Sequence, residues 1–216
     1  MTILITGASR GIGKALMAGY TCRGARALGT HRLPEAGAML HLDVTDPASH
    51  CDLAGRLKET PIDLLICNAG VYPDKGERLD TGYPAAMWAA GFAANVTGVF
   101  LTIQALLPNL RASKAGKIAI IASQMASHTR APGGSYIYRA SKAAALNLGR
   151  NLATDLRPEG IAVGIYHPGW VQTDMGGQSA DITVAQSAAG LMDRFDALSL
   201  ETTGCFETWD GRAHPY

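Results

Sequence analysis

The segment Thr2–Gly13 reads TILITGASRGIG and joins an apolar run to a glycine-rich turn. The β-branched and apolar residues of TILIT are typical of a buried strand. A helical pattern follows from about Ile12 to Cys22. Glycines at 7, 11 and 13 permit a tight turn and close approach to a pyrophosphate, and the helix N-terminus beyond them offers free N–H groups. The segment therefore predicts the opening strand–turn–helix unit of a dinucleotide-binding fold.

The rest of the chain continues this alternation of strands and helices. Further strands are predicted at 25–32, 38–44, 62–70, 116–123, 161–167 and 204–208. Further helices are predicted at 47–59 behind an Asp46 N-cap, at 85–111 with a break near Pro108, at 135–156 and at 184–197. Such alternation predicts an α/β, doubly wound parallel sheet (Rossmann fold) with helices on both faces. No linker divides it, so residues 1–216 are predicted to form a single domain.

The composition and charge of the chain indicate which partners and cellular environment to expect. The 216 residues are 47% hydrophobic, and a formal net charge of +1 favours neither nucleic acid nor an acidic membrane. A strand that begins at Thr2 leaves no room for a signal peptide, and no apolar run approaches the ~18–20 residues of a membrane helix. The cysteines at 22, 51, 67 and 205 are scattered without a CxxC pair. We therefore expect a cytoplasmic protein with reduced thiols and neither a metal site nor a disulfide.

The stretch GGSYIYRASKAAALN (133–147) places two tyrosines ahead of one lysine. Tyr138 and Lys142 are four residues apart and share a helix face. Tyr136 and Lys142 are six apart and diverge by about 120° around the helix. An ammonium group near a phenol favours the phenolate, so Lys142 is expected to lower the pKa of Tyr138. The helical spacing thus predicts Tyr138 as a general acid/base near neutral pH.

A serine hydroxyl is predicted to orient the substrate oxygen beside Tyr138. Ser123 ends the fifth predicted strand, at the sheet edge where ligands bind in α/β folds. Ser127 is the alternative, but it lies four residues farther on, within a loop. Ser123 is preferred because rigid elements hold catalytic groups better than loops do.

Together these motifs resemble the classical short-chain dehydrogenase/reductase family over nearly the whole chain. The motifs are the GxxxGxG turn, Asp43-Val44, Asn68-Ala69-Gly70, Asn95 in ANVTG, Ser123, the Tyr138–Lys142 pair, and Pro168-Gly169-Trp-Val171-Gln-Thr173. The wording around YRASK and HPGWV is similar to the C-factor-like subgroup and to small carbonyl reductases.

The resemblance implies a catalytic set of Asn95, Ser123, Tyr138 and Lys142. Lys142 would also hold the nicotinamide ribose, and Asn95 would complete a relay from Lys142 through water to solvent. A mid-helix asparagine can open the local hydrogen-bond ladder, as such a relay requires. Ser123 precedes Tyr138 by two residues more than is usual in the family. The loop QMASHTRAPGG (124–134) can absorb the difference, whereas a helix face cannot be shifted.

The resemblance also implies a set of cofactor-binding residues along the carboxyl edge of the sheet. Asp43 would accept from the adenine amino group, and the backbone near Val171 would bind the nicotinamide carboxamide. The whole set comprises Gly7, Ser9, Arg10, Gly11, Ile12, Gly13, Arg32, Asp43, Val44, Asn68, Ala69, Gly70, Tyr138, Lys142, Pro168, Gly169, Val171 and Thr173.

The second strand indicates which nicotinamide cofactor is preferred. An NAD site usually has an acidic residue at the end of this strand. Here the strand ends in Thr30, His31 and Arg32, and Glu35 follows only after a proline. Arg10, inside the glycine turn, and Arg32 would attract a 2′-phosphate. We therefore predict NADP(H), with NAD(H) as the weaker alternative.

The predicted function is hydride transfer between NADP(H) and a small carbonyl or alcohol. The predicted substrate space includes Met125, His128, Trp170 and Met175, and the short segment after Met175 predicts an open site. The alternative is a cofactor-binding signalling or regulatory protein of the C-factor-like type, with little or no turnover. Relatives often pair through the two long helices, so a homo-oligomer, dimer or tetramer, is expected.

Overall fold

The computed structural model describes residues 1–33, 39–58 and 60–216. Within those residues a single sheet of seven parallel strands runs in the order β3-β2-β1-β4-β5-β6-β7. The strands are β1 (Thr2–Ile5), β2 (Arg26–His31), β3 (Leu40–His41), β4 (Leu64–Cys67), β5 (Lys117–Ile121), β6 (Ala162–His167) and β7 (Phe206–Thr208). The prediction of a doubly wound α/β fold is confirmed.

The helices cover both faces of the sheet. They are α1 (Gly11–Cys22), α2 (Pro47–Leu57), α3 (Ala85–Phe92), α4 (Gly98–Arg111), α5 (Tyr136–Leu156) and α6 (Val184–Ala197). Alternate residues of β1 point to opposite faces. Ile3 and Ile5 join a core cluster with α1 and α6, whereas Leu4 joins another with α2, α4 and α5. Burial on both faces explains why the central strands are apolar without alternation.

The strand order places the candidate site. From β1 the chain first builds outward through β2 and β3, and then returns to add β4 on the other side. The reversal between β1 and β4 is a topological switch point, and ligands in such sheets bind beyond the carboxyl ends of the strands there. The glycine turn follows β1, and Asn68-Ala69-Gly70 follows β4, so both flank this crevice.

The predicted break in the long helix at Pro108 is wrong. Residues Ala93–Thr97 form a π-helical turn between α3 and α4, whereas α4 continues through Pro108. The proline costs little there because both it and Gln104, whose carbonyl loses its N–H partner, are exposed to water. The irregularity therefore lies at Asn95 and not at the proline.

This helical region also corrects the expectation that no segment is long and apolar enough for a membrane. Ala85–Arg111 spans 27 residues with a mean hydropathy of 1.5 in its most apolar window, of which 44% is buried within the protein. Its length and composition alone would suffice to cross a bilayer. A helix packed into a protein core passes the same test, and α4 contributes residues to the core beside α2 and α5.

Several elements are shorter than predicted. β3 covers only Leu40–His41 of the predicted 38–44, and β4 stops at Cys67, before the Asn68 turn. β5 ends at Ile121, and β7 begins at Phe206. Helix α2 ends at Leu57, with Asp46 capping it as predicted by accepting from the Ala48 amide at 3.0 Å. The first residue of the predicted strand 38–44 and the last residue of the predicted helix 47–59 lie outside the described residues, as does Glu35.

Candidate active site

Two glycines of the turn, Gly7 and Gly13, lie so close to neighbouring groups that they leave little room for a side chain. Gly7 has φ +65°, in the left-handed region, and a Cβ there would lie 3.2 Å from the Ala69 methyl group. A Cβ on Gly13 would collide with the Gly7 carbonyl oxygen and the Asn68 side-chain amide. That amide donates to the carbonyl oxygens of Thr6 at 2.9 Å and Gly7 at 3.1 Å. Asn68, predicted only to line the cofactor site, therefore also fixes the shape of the turn.

Replacement of Gly13 by alanine should destabilise the chain by about 1–3 kcal/mol, because the new methyl group overpacks the turn. The matched control is Gly55→Ala in α2, where an added Cβ meets no atom within 4 Å among the described residues. That substitution should stabilise the chain by roughly 0.5–1 kcal/mol, the usual difference between the two residues in a helix. Urea denaturation measures both. Equal effects of the two substitutions would contradict the steric reading.

The N-terminus of α1 is suited to an anion. Within the described residues no side chain caps it: Arg10 has extended backbone and makes no side-chain capping bond. The first N–H groups of α1 therefore point from the turn with the positive end of the helix dipole. Across the turn, a Cβ on Gly11 would lie 3.5 Å from the Thr173 methyl group. The loop after β6 therefore lies next to the glycine turn.

The two predicted phosphate arginines lie on exposed loops. The Arg10 guanidinium pairs with the Asp174 carboxylate at 2.8 Å, and both side chains are more than three-quarters exposed. Such a pair contributes little energy, so it does not prevent Arg10 from binding another anion. Arg32 is exposed after β2, close to Asp43.

Asp43 is held in a local turn after β3. Its carboxylate accepts from the Thr45 amide at 2.9 Å and the Thr45 hydroxyl at 2.7 Å. Partial burial acts to raise the pKa of Asp43, but these hydrogen bonds and the Arg32 charge outweigh it and lower the pKa. These hydrogen bonds define the turn at this position, while the contact of Asp43 with adenine stays a prediction.

The loop after β6 is braced by its own hydrogen bonds. The Pro168 carbonyl accepts from the Ser187 hydroxyl at 2.6 Å, and Val171 pairs with Ile182 in an isolated parallel bridge. The Thr173 hydroxyl donates to the Val171 carbonyl at 3.3 Å and accepts from the Gly176 amide at 3.0 Å. The predicted nicotinamide-side residues thus belong to one ordered loop.

The structure places Tyr138 and Lys142 on one buried face of α5, as the helical spacing predicts. Tyr138 is 8% exposed and Lys142 is buried, whereas Tyr136 is 38% exposed. The Lys142 ammonium lies 5.8 Å from the centre of the Tyr138 ring and donates to the Ile121 carbonyl at 2.8 Å. Tyr136 makes an edge contact with the Tyr83 ring instead. The two tyrosines therefore lie on different sides of α5, and only Tyr138 is on the buried side with Lys142.

Burial moves both pKa values of the pair away from their usual ranges. It raises the pKa of Tyr138 to about 12, a contact from the Ser123 side chain acts in the opposite direction, and Tyr72 and Asp74 raise it further. Burial also lowers the pKa of Lys142 to about 8. The direction for Tyr138 is opposite to the predicted lowering by Lys142, because removal from water outweighs the favourable contacts.

Ser123 lies two residues beyond the end of β5 and not at the strand terminus. It is held there because its hydroxyl accepts from the Met125 amide at 3.1 Å and caps the short turn Gln124–Ala126. Ser127, the alternative, bonds to the Thr129 hydroxyl at 2.8 Å and the Tyr216 carbonyl at 3.3 Å. Ser123 is the serine whose side chain acts to lower the pKa of Tyr138, while Ser127 contacts the C-terminal residue.

Asn95 lies in the π-helical turn. The regular helical hydrogen bonding to the fourth preceding residue is interrupted there, because the Gly98 amide donates to the Ala93 carbonyl, five residues before it. The Asn95 side chain accepts from the Val71 amide at 2.8 Å and donates to the Val71 carbonyl and the Ser141 hydroxyl, both at 2.9 Å. It thus joins the loop after β4 to α5. The predicted relay through water stays a prediction.

Two residues that the motifs do not include contact Tyr138. The Tyr72 ring stacks on the Tyr138 ring at 4.1 Å between centres, and the Tyr72 hydroxyl bonds to Ser135 at 2.6 Å. Asp74 accepts from the backbone amides at the start of α5. No sequence pattern indicated either residue. The structure shows the need for an acceptor there, because Ser135, the N-cap of α5, has φ +49° and makes no capping bond.

The predicted substrate side is open. A cavity of about 460 Å³ lies beside the site, lined by Gln124, Gly169 and Trp170 together with C-terminal residues such as His214. Trp170 and Met175 are exposed, as is His128, while Met125 is half-buried. These four residues lie on the loops that follow β5 and β6, so they border the site without enclosing it.

A glycine turn and a Tyr–Lys pair at the switch point of a parallel sheet define a dinucleotide-binding α/β protein. The family model described as short chain dehydrogenase matches residues 1–182. The C-signal of Myxococcus xanthus is 40% identical over 157 residues, which cover 72% of this chain and 93% of that protein. The chain belongs to the short-chain dehydrogenase/reductase family of oxidoreductases.

Solved structures agree with this assignment. The NADPH-bound carbonyl reductase from chicken fatty liver superposes with a TM-score of 0.91 at 29% identity, covering 100% of this chain and 98% of that chain. The carbonyl reductase Sniffer of Drosophila melanogaster superposes with a TM-score of 0.92 at 26% identity, covering 100% and 99%. The similarity therefore extends over the whole chain, including the residues after the family match.

Proposed function

We propose that this protein is an NADP(H)-dependent reductase of small carbonyl compounds, acting reversibly on the corresponding alcohols. The observation that carries the proposal is the buried Tyr138–Lys142 face beside Ser123, at the same sheet edge as the glycine turn. Family membership supports oxidoreduction, and two carbonyl reductases have closely similar structures.

The residues present fit a dinucleotide. The contacts around Gly7 and Gly13 hold a backbone cradle, and the N-terminus of α1 offers N–H groups to a pyrophosphate. Exposed Arg10 and Arg32 suit a 2′-phosphate. The carbonyl reductase from chicken is described with NADPH bound, which supports the same choice here. When bound, the nicotinamide supplies or accepts the hydride, and its oxidised form adds positive charge.

The side chains of this chain would handle the proton and the substrate oxygen. In reduction, the Tyr138 hydroxyl donates its proton to the carbonyl oxygen, and Ser123 donates a hydrogen bond that orients that oxygen. The Lys142 ammonium stabilises the phenolate that remains. In oxidation the phenolate accepts the alcohol proton. Asn95 keeps the loop after β4 attached to α5 through Val71 and Ser141, which supports the position of this helix.

The direct test is a spectrophotometric assay of the purified chain. NADPH oxidation is followed at about 340 nm with a panel of aldehydes, ketones and diketones. Turnover with at least one member, and none without a carbonyl compound, is the expected result. Tight NADPH binding measured by fluorescence, with no turnover on any member, would refute the enzymatic proposal.

The cofactor preference depends on Arg10 and Arg32. The double substitution to alanine should raise the KM for NADPH about 10²-fold and leave the KM for NADH nearly unchanged, since charge-assisted bonds to the 2′-phosphate are lost. Arg23→Ala is the matched control, because Arg23 is an exposed arginine paired with Asp193 and Asp196. Equal changes for NADPH and NADH would contradict a role in selecting the phosphate.

A signalling role is the second candidate, supported by the identity to the C-signal of Myxococcus xanthus. Retention of Tyr138, Lys142, Ser123 and Asn95 in one buried arrangement favours catalysis over binding alone. We also propose a cytoplasmic homo-oligomer. The groove between α4 and α5, lined by Phe100, Leu107 and Leu152 among others, is the proposed contact.

A further inference from the structure

The N-terminus of α5, the helix that carries Tyr138, is secured by a carboxylate from a distant loop. Three residues before the helix or at its N-cap have positive φ: Gly133, Gly134 and Ser135. Ser135 therefore enters the helix in a left-handed conformation and makes no side-chain cap. The orphan amides at the helix start need another acceptor.

Asp74 supplies that acceptor. Its carboxylate accepts from the Ile137 amide at 2.7 Å and from the Tyr138 amide at 3.2 and 3.3 Å, one distance to each oxygen. The residue is 0% exposed, and within the described chain no lysine or arginine forms an ion pair with it. A negative charge in this place is stabilised by the positive end of α5.

We propose that Asp74 is a positioning residue of the active site, whose carboxylate fixes the start of α5 and lies beside Tyr138. The inference rests on the proposed function, because its main readout is turnover. The geometry distinguishes it from an ordinary cap: one of the two bonded amides belongs to Tyr138 itself. Tyr72, from the same loop, stacks on the Tyr138 ring and bonds to Ser135.

Four groups face Tyr138 and determine the sign of the expected effect. Tyr72 and Asp74 approach from the loop after β4, Ser123 from the turn after β5, and Lys142 from α5 itself. The carboxylate disfavours the phenolate and also offsets the positive helix end, which would favour it. Loss of the charge should therefore make Tyr138 a stronger acid.

The test is Asp74→Asn, which keeps the size of the side chain and one oxygen acceptor but removes the charge. Alcohol oxidation with NADP⁺ is measured against pH, using the alcohol of any carbonyl compound that the panel identifies. Activity in this direction rises as Tyr138 loses its proton. The rise should move about one pH unit lower in the variant. A cap without influence on the tyrosine would lower kcat and the thermal midpoint and leave the pH profile in place.

Asp80→Asn is the matched control. Asp80 lies in the same loop but is exposed and pairs with Arg78, so its profile should coincide with that of the wild type. If Asp74→Asn does not fold, Asp74→Ser provides the same test, because its hydroxyl group is an uncharged hydrogen-bond acceptor. A folded variant whose profile stays within about 0.2 pH unit of the wild type overturns the inference. An inactive wild type would overturn the proposed function instead.

Discussion

Tyr138→Phe should lose at least about 10³-fold in kcat, because the phenol is the proton donor of the proposed reaction. The substitution removes one oxygen atom and leaves the ring that stacks on Tyr72. Folding and NADPH binding should therefore be retained, which thermal denaturation and fluorescence titration would show. The assay is NADPH oxidation with the best carbonyl compound of the panel.

The control for this experiment is Tyr136→Phe. Tyr136 lies two residues away on the same helix, but it is exposed and contacts Tyr83. Most of the activity should remain in this variant. An inactive Tyr136→Phe combined with an active Tyr138→Phe would refute the assignment by helix face.

Lys142→Met should lose about 10²-fold or more in kcat, because no ammonium would remain to stabilise the phenolate. Methionine has a similar length and fills the buried site, so the variant should fold. Methionine removes the charge with little change in side-chain volume. The control is Lys114→Met, which removes an exposed lysine after α4 and should leave turnover unchanged.

The same substitution should increase stability at pH 7 by roughly 1–2 kcal/mol, because the buried charge of Lys142 is unfavourable. The folded pKa of Lys142, about 8, lies below the usual 10.5. The unfolded wild type therefore binds more protons between these values, and wild-type stability rises with pH there. The advantage of the variant should shrink from pH 8 towards pH 10 in urea denaturation. An advantage that grows with pH would contradict burial as the cause of the low pKa.

The opposed pKa shifts clarify what the proposed cofactor has to contribute. In the chain itself, Tyr138 has a pKa of about 12, unsuited to exchange protons rapidly near pH 7. The positive charge of an oxidised nicotinamide would lower the pKa of Tyr138, which Lys142 alone does not do. We therefore expect Tyr138 to act as an acid/base in the complex with the cofactor. Within the protein, the Ser123 side chain already acts to lower the pKa of Tyr138.

The sequence by itself determined the features that depend on short-range periodicity. The run TILITGASRGIG and the strand–helix alternation behind it predict the parallel sheet, since these patterns repeat within a few residues. The selection of Tyr138 over Tyr136 also needs only the helical repeat, and the buried face of α5 agrees with it.

Only the tertiary structure decided which distant groups surround those residues. Asp74 and Tyr72 reach Tyr138 across more than sixty positions of sequence, and no local pattern encodes that contact. The long helix opens at Asn95 and not at Pro108, because Asn95 is bonded to another loop while Pro108 faces water. The pKa of Tyr138 is raised because all these elements together bury its side chain. A helix face is set by the covalent geometry of its own residues, whereas burial and a cap from another loop exist only after the chain has folded.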